Sequence, residues 1–208
     1  MSTNKVAIVG YSGHAFVVCD TLISQSISII GYFEEAEKTF NPFELAYLGS
    51  ERSLENLNQL KDCEYFIGIG SNSIRKKITQ QLEKKLQKAP TNAVHSSASI
   101  SSKTNLGKGI LFGNQVIVNA CSEIGDGVIC NTRATIEHDC KIGAFSHIAP
   151  GAILCGNVSI GEKSFIGAGS VVKQGVTIGK NVIVGAGTIV INDIADNQKV
   201  VGNPQRII

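Results

Sequence analysis

Ile136-Glu-His138-Asp-Cys140 sets one imidazole between two carboxylates. A carboxylate that takes one ring N–H leaves the other nitrogen free to accept a proton and raises its basicity, which is the equipment of a general base. The same residues also fit an ordinary surface turn. His147 follows nine residues later. A second set of residues suits an anion rather than a proton. Gly10-Tyr-Ser12-Gly13-His14 closes an apolar run and opens an amphipathic one, so its amides and the Ser12 hydroxyl stand at a helix N-terminus, where phosphate is favoured. Gly70-Ser-Asn-Ser-Ile-Arg75 repeats the glycine-to-helix turn and carries a cation. Glu34 and Glu35 end another apolar run and are placed either to accept hydrogen bonds from a ribose or base or to form a solvated loop. The glycines do not follow G-x-G-x-x-G, which argues against a dinucleotide.

The elements that must position these residues are of two kinds. From Lys5 to about Lys88, short apolar runs alternate with amphipathic ones: strands over 5–10, 28–33 and 64–70, and helices over 14–23, 53–60 and 73–87. Ala15, Val18, Cys19 and Leu22 share one face of the first helix, and Ser53 is placed to cap the second. Alternation of this sort implies a small parallel sheet of the Rossmann kind, whose ligands gather at the carboxyl ends of its strands. The Gly10–His14, Glu34-Glu35 and Gly70–Arg75 segments all fall there, which together favours a nucleotide-type ligand. Pro90 stops the last helix, so a first domain over 1–90 and a second over 91–208 are expected.

In the second domain an apolar residue returns at every sixth position without a miss: Val94, Ile100, Leu106, Phe112, Val118, Ile124, Cys130, and onward through Ile148 and Ile166 to Val190. A small or apolar side chain, such as Val116, Ala134, Ser146 or Ser170, usually sits four residues after each. Neither a helix of 3.6 residues per turn nor an open strand makes that pattern, whereas a solenoid with three flat sides of six residues does. Eighteen residues then form one coil, and Gly107, Gly125, Gly143, Gly161 and Gly179 all align on one side. Seventeen repeats make almost six coils of a parallel β-helix, each burying its apolar residues only by stacking on the next. Residues 137 to 139 fall in a turn between sides, so His138 is expected to point outward, and His147 likewise at a corner.

Composition narrows the partners. The chain has 208 residues, 43% apolar and 17% charged, with only two more basic than acidic side chains. Such a balance lacks the excess that nucleic acid or a membrane surface selects. Met1-Ser-Thr-Asn-Lys-Val is not a basic segment followed by a long apolar run, and no stretch approaches a membrane span, so a cytoplasmic location is expected. The six cysteines show neither C-x-x-C nor C-x-x-H spacing, and Cys130 and Cys140 take core-type positions. Reduced structural thiols and no metal are expected.

The run from Asn131 through Ile-Glu-His138-Asp-Cys-Lys-Ile-Gly to Phe-Ser-His147, followed by Cys-Gly156-Asn-Val-Ser-Ile-Gly, resembles the hexapeptide-repeat nucleotide-sugar acetyltransferases of the bacillosamine pathway and their sialic acid O-acetyltransferase relatives. Gly10-x-Ser-Gly-His14, the acidic pair, Ile69-Gly70-x-Asn-x-Ile-Arg75 and the tail Val201-Gly-Asn-Pro204 match as well, so the likeness covers nearly the whole chain. It implies a left-handed parallel β-helix behind the Rossmann-like domain. It also implies N-acetylation of the 4-amino group of a UDP-4-amino-4,6-dideoxy sugar by acetyl-CoA in a homotrimer with sites between subunits. Within that likeness His138 is the general base, Asp139 its orienting acid, and the Gly156 amide the oxyanion donor. Ser12, Gly13, His14, Glu34, Glu35, Gly70 and Asn131 hold the UDP-sugar, while His147, Ala168 and Ala186 line the acetyl-CoA groove. The acidic pair is Asp in close relatives, and Gln205 stands where alanine is common. Direct transfer needs no acyl-enzyme, so Cys155 is the lesser candidate. O-acetylation of a sialic acid, and a nucleotide-binding scaffold without turnover, are the competing readings.

Overall fold

The computed structural model describes residues 5–208, and the reading of the first four residues as carrying no leader lies outside the described residues. Strand β1 (Lys5–Val9), helix α1 (Gly13–Ser24), β2 (Ser28–Phe33), the single turn α2 (Leu54–Leu57), β3 (Glu64–Ile67) and α3 (Asn72–Leu86) form the N-terminal part. Its sheet is parallel in the order β2-β1-β3. Alternation along β1 explains the helices on both faces. Val6 and Ile8 pack with Ala15, Val18, Cys19 and Leu22 of α1, while Ala7 and Val9 pack with Leu57, Leu60 and Leu82. Ser53 caps α2, its hydroxyl accepting from Asn56 N at 3.4 Å, but the helix then tightens into a 3-10 turn at Asn58–Leu60.

β3 stops at Ile67, three residues short of the expected end. Gly68 crosses so close to the β1–α1 loop that a Cβ there would sit 2.6 Å from the Gly10 carbonyl. Gly10 itself adopts φ +85, a conformation glycine alone takes without strain. The two carboxyl-terminal turns of the sheet are thereby held against each other.

The six-residue period becomes seventeen two-residue strands, from β4 (Ala93–Val94) to β20 (Ile189–Val190), each with its periodic residue second. They stack in three parallel sheets, eighteen residues apart along the chain. Cys130, Cys140 and the aliphatic periodic residues from Val118 onward are buried in one continuous core, and each such aliphatic side chain contributes about 1.5–3 kcal/mol. The aligned glycines have a steric cause: a Cβ on Gly125 or Gly143 would come within 2.8 or 2.6 Å of the next coil's backbone nitrogen.

The three outer faces differ, and the difference governs the site. On the first, the outward positions climb Ala93, Leu111, Ile129, His147, Phe165 and Ile183. The N-terminal part covers its lower half, burying Ala93, Leu111 and Ile129 with α1. The second face presents Ser99, Ile117, Thr135, Ile153, Val171 and Ile189, mostly apolar, with Ile117 and Ile153 about 40% exposed. The third presents Asn105, Glu123, Lys141, Ser159 and Thr177 and is polar throughout. Beyond the last coil, β21 (Lys199–Val201) and β22 (Arg206–Ile207) close the first face. Gln205 supplies what a further coil would: its side chain accepts from Ile191 N at 2.8 Å and donates to Asn192 O at 3.1 Å. Among the described residues, no helix is long and apolar enough to cross a membrane.

Candidate active site

His138 stands on the corner between the apolar and polar faces, in the turn joining Thr135–Ile136 to Lys141–Ile142. The turn is possible because Asp139 adopts φ +60, a left-handed conformation that Asp tolerates. The His138 side chain is 58% exposed, pointing outward as expected. Nδ1 lies 2.7 Å from Asp139 Oδ2, so the carboxylate fixes that nitrogen as the protonated one and leaves Nε2 as acceptor. One coil on, Gly156 lies directly beneath the ring: a Cβ there would be 2.7 Å from Cε1 and 2.8 Å from Nε2. The Gly156 carbonyl accepts from Gly175 N, while its N–H joins no inter-coil bond among the described residues. Only one of the two flanking carboxylates serves the imidazole. Glu137 turns instead to Asn119, whose Nδ2 donates to it at 2.7 Å.

A second cluster forms where the N-terminal part meets the first face. His147 departs from the exposed corner expected of it: it lies within the strand His147–Ile148 of that face, as the next step after Ile129, and is 8% exposed. The cause is the N-terminal part, which roofs that ladder. His147 lies across from His14, ring centroids 6.1 Å apart, and makes an edge contact with Phe165 at 4.9 Å. Asn131 Nδ2 is 3.2 Å from His147 Nε2, and Gly70 lies against the His14 ring. His14 Nε2 is buried without a partner among the described residues. Burial first, and the nearby Arg75 cation second, push His14 down to about 4 and His147 to about 3, His14 adding to the latter. Both imidazoles are therefore neutral at neutral pH.

Arg75 is not offered to a ligand at the sheet edge, as its place in the Gly70 turn suggested. It is 1% exposed and turned inward onto backbone carbonyls of both parts of the molecule. One sequence carries no signal for that inversion, since the solenoid partners lie 52 to 71 residues away. Ser12 and Gly13 are exposed at the N-terminus of α1, with no cap bond from Ser12. Glu34 bends back to accept from Tyr11 N at 3.0 Å and lies 3.5 Å from Lys38, whereas the exposed Glu35 pairs with Arg52 at 3.0 Å.

Ala168 and Ala186 stand on the corner between the first and apolar faces, stacked so that Gly187 N reaches Ala168 O at 2.8 Å. Asn131 begins the same corner two coils below Ala168. The structure thus brings His14, Gly70, Asn131 and His147 together and aligns the alanines above them. It sets His138, Asp139 and Gly156 at the opposite edge of the apolar face. A groove of about 690 Å³ runs along the polar face, lined by Lys141, Ser159 and Gly161, away from both groups.

Residues 5–82 match the PglD N-terminal domain, and residues 157–191 a hexapeptide repeat of succinyl-transferase. The acetyltransferase domain of PglB from Neisseria gonorrhoeae is 34% identical, covering 99% of this chain and 100% of its own, with a TM-score of 0.92. PerB from Caulobacter crescentus, solved in complex with CoA and GDP-perosamine, is 35% identical over 98% of this chain and 97% of its own, TM-score 0.91. The UDP-N-acetylbacillosamine N-acetyltransferase of Bacillus subtilis is 34% identical over 110 residues, 52% of this chain. That match spans about half the length of this curated relative. On fold, repeat and likeness over the full chain, the protein belongs to the hexapeptide-repeat nucleotide-sugar N-acetyltransferase family of the bacillosamine and perosamine type.

Proposed function

We propose that the protein transfers an acetyl group from acetyl-CoA to the amino group of a nucleotide-linked amino sugar. The acceptor is a UDP-4-amino-4,6-dideoxy-N-acetyl sugar, acetylated at its 4-amino group, and the reaction runs in the cytoplasm. The observation that carries the reading is the His138 corner: an exposed imidazole oriented by Asp139 at 2.7 Å, over a glycine, with Nε2 left as the acceptor. Nε2 takes a proton from the sugar amine as its nitrogen bonds to the thioester carbonyl carbon. The Gly156 N–H is available to the oxyanion that forms. Collapse breaks the C–S bond, and the imidazolium returns its proton to the departing thiolate. No acyl-enzyme intervenes. Residues 1–90 serve as the nucleotide-sugar domain and 91–208 as the transferase domain, with Ser12, Gly13, Glu34 and Glu35 toward the nucleotide and Ala168, Ala186 and His147 toward the pantetheine.

Three copies complete the site. His138 and the Asn131–alanine corner flank the same apolar face, which nothing among the described residues of one chain covers. If three copies turn that face to a common axis, each His138 edge meets the other edge of its neighbour, giving three equivalent seams. A thioester buried at a seam gains the second wall that a single corner lacks.

Thiol release from acetyl-CoA, measured with UDP- and GDP-linked 4-amino sugars and with free or CMP-linked sialic acid, tests the reading. Turnover with a UDP-amino sugar is expected. Turnover with sialic acid alone, or none with any acceptor, sinks it. Mixing inactive His138→Ala chains with inactive Ala186→Trp chains tests the seam: about a quarter of wild-type activity should return, because half the edges of each kind are intact. A fully active monomer, or no recovery on mixing, overturns shared sites.

A further inference from the structure

The guanidinium of Arg75 is a buried cation whose partners among the described residues are all neutral oxygens. Nε donates to Gly127 O at 2.7 Å, Nη1 to Ile69 O and Gly70 O at 3.1 and 2.9 Å, and Nη2 to Asn72 Oδ1, Phe145 O and Ser146 O at 2.9, 3.0 and 3.3 Å. Burying a charge with no counter-charge is costly, and here burial lowers its pKa to about 9, still protonated at neutral pH. Stability alone gives little reason for such a group, since apolar residues often replace buried ions at no loss.

Its geometry gives a reason. Three of the oxygens belong to the Gly70 turn and three to the solenoid, so one planar fork spans the junction beside the His14–His147 cluster. Asn72 extends the clamp by donating to Lys163 O at 2.9 Å, and Lys76 pairs with Glu162. Gly127, Phe145 and Lys163 are successive coils on one corner, so the first turn of α3 is laced to three coils in a row.

The clamp also reaches the imidazole. Asn131 Oδ1 accepts from Thr132 N at 2.8 Å, which turns the Asn131 NH₂ toward His147 Nε2 as a donor. Nε2 is then the acceptor and the ring proton lies on Nδ1. The Gly70 backbone is a hydrogen-bond partner of the same ring, and the Gly70 carbonyl is the one Arg75 Nη1 holds at 2.9 Å.

We propose that Arg75 is a positioning residue: by fixing the Gly70 carbonyl against the solenoid it sets which nitrogen of His147 carries the proton, and so what His147 presents to the reacting groups. The catalytic consequence rests on the proposed acetyl transfer; the tautomer does not. The test is ¹⁵N NMR of the full-length protein labelled at histidine, at neutral pH and without substrate, on wild type and Arg75→Lys. Lysine keeps the charge but not the planar fork. Wild type should show His147 protonated at Nδ1. Arg75→Lys should fold, lose that signature and lower kcat/KM for the amino sugar about 10- to 100-fold, the scale of a small misplacement.

If Arg75→Lys does not fold, Arg75→Ala titrated with guanidinium at tens of millimolar replaces it, and return of the Nδ1–H signature is the expected result. An Nε2–H tautomer in wild type, an unchanged tautomer in Arg75→Lys, or no return with guanidinium overturns the proposal. A tautomer that follows Arg75 in a protein with no acetyl transfer would instead leave the positioning intact and remove the function.

Discussion

His138 and His147 lie nine residues apart on one solenoid, yet their surroundings are opposite. His138 is exposed on a turn, and everything it uses is local: the carboxylate next to it and the glycine one coil away. His147 is buried under another part of the chain, with a cation behind it, a second imidazole beside it and an amide on its Nε2. An exposed imidazole held at one nitrogen by a carboxylate keeps its other nitrogen free to take and return a proton. A buried one beside a cation cannot readily become charged, and serves by the fixed direction of its N–H and lone pair. One fold thus makes two tools from one residue type, by covering one face and leaving the neighbouring corner bare.

The largest expected effect breaks that contrast at His138, the proposed base. His138→Ala should lower turnover by about two to four orders of magnitude, the usual contribution of a general base, while acetyl-CoA still binds. Asp139→Asn should cost less, because it disturbs orientation but leaves the ring. Gly156→Ala tests the same corner from beneath: a methyl 2.7 Å from Cε1 must displace the imidazole, so turnover should fall with little change in melting temperature. Steady-state rates at saturating amino sugar decide all three, and a His138→Ala enzyme near wild-type turnover would exclude His138 as the base.

How much of this contrast is legible in the sequence depends on its range. The solenoid register is fully visible, because the period repeats a local rule seventeen times and burial enforces it: each periodic position from Val94 to Val190 is the second residue of a strand. The outward turn at His138 follows from the same rule. The parallel sheet and its strands are legible from apolar runs, though β3 ends early at a close approach of two glycine turns that no run reports. The burial of His147 and the inward turn of Arg75 are not legible. Both depend on where the N-terminal part docks, and a residue's own neighbours in the chain carry no trace of that. Glu137 escapes for a related reason, since Asn119, eighteen residues back, claims the carboxylate that adjacency assigns to His138.

A mid-sized effect sharpens the contrast through acid stability. His14 and His147 titrate near 4 and 3 in the folded protein against about 6.5 unfolded. Their folded pKa values are depressed, so the unfolded chain binds more protons as pH falls below about 6.5, and stability drops from there toward pH 4. Between pH 7 and 5 each imidazole should cost on the order of 2 kcal/mol, and His147→Gln should remove its share of that slope. Urea unfolding at the two pH values measures this, and equal slopes for wild type and His147→Gln would mean that His147 is not held neutral by its surroundings.

The smallest effect separates the two acidic residues at the carboxyl end of the N-terminal sheet, which the sequence presents as a pair and the fold does not. Glu34 reaches back to the Tyr11 amide, so its carboxylate helps shape the loop that carries Ser12 and Gly13. Glu35 is exposed and tied to an equally exposed Arg52, and an ion pair of that kind contributes about 1 kcal/mol or less. Glu34→Gln keeps the acceptor oxygen but loses the charge toward Lys38, so KM for the nucleotide sugar should rise about tenfold with kcat nearly unchanged. Glu35→Gln should raise it by about threefold at most, a change within the range of an exposed pair. Neither should alter the KM for acetyl-CoA, because both residues sit at the sheet edge and the alanine corner belongs to the solenoid. Initial-rate kinetics with each substrate varied in turn would decide it: equal KM for the sugar in both variants and wild type would make this edge a solvated loop, and the nucleotide would have to be sought elsewhere on the N-terminal part.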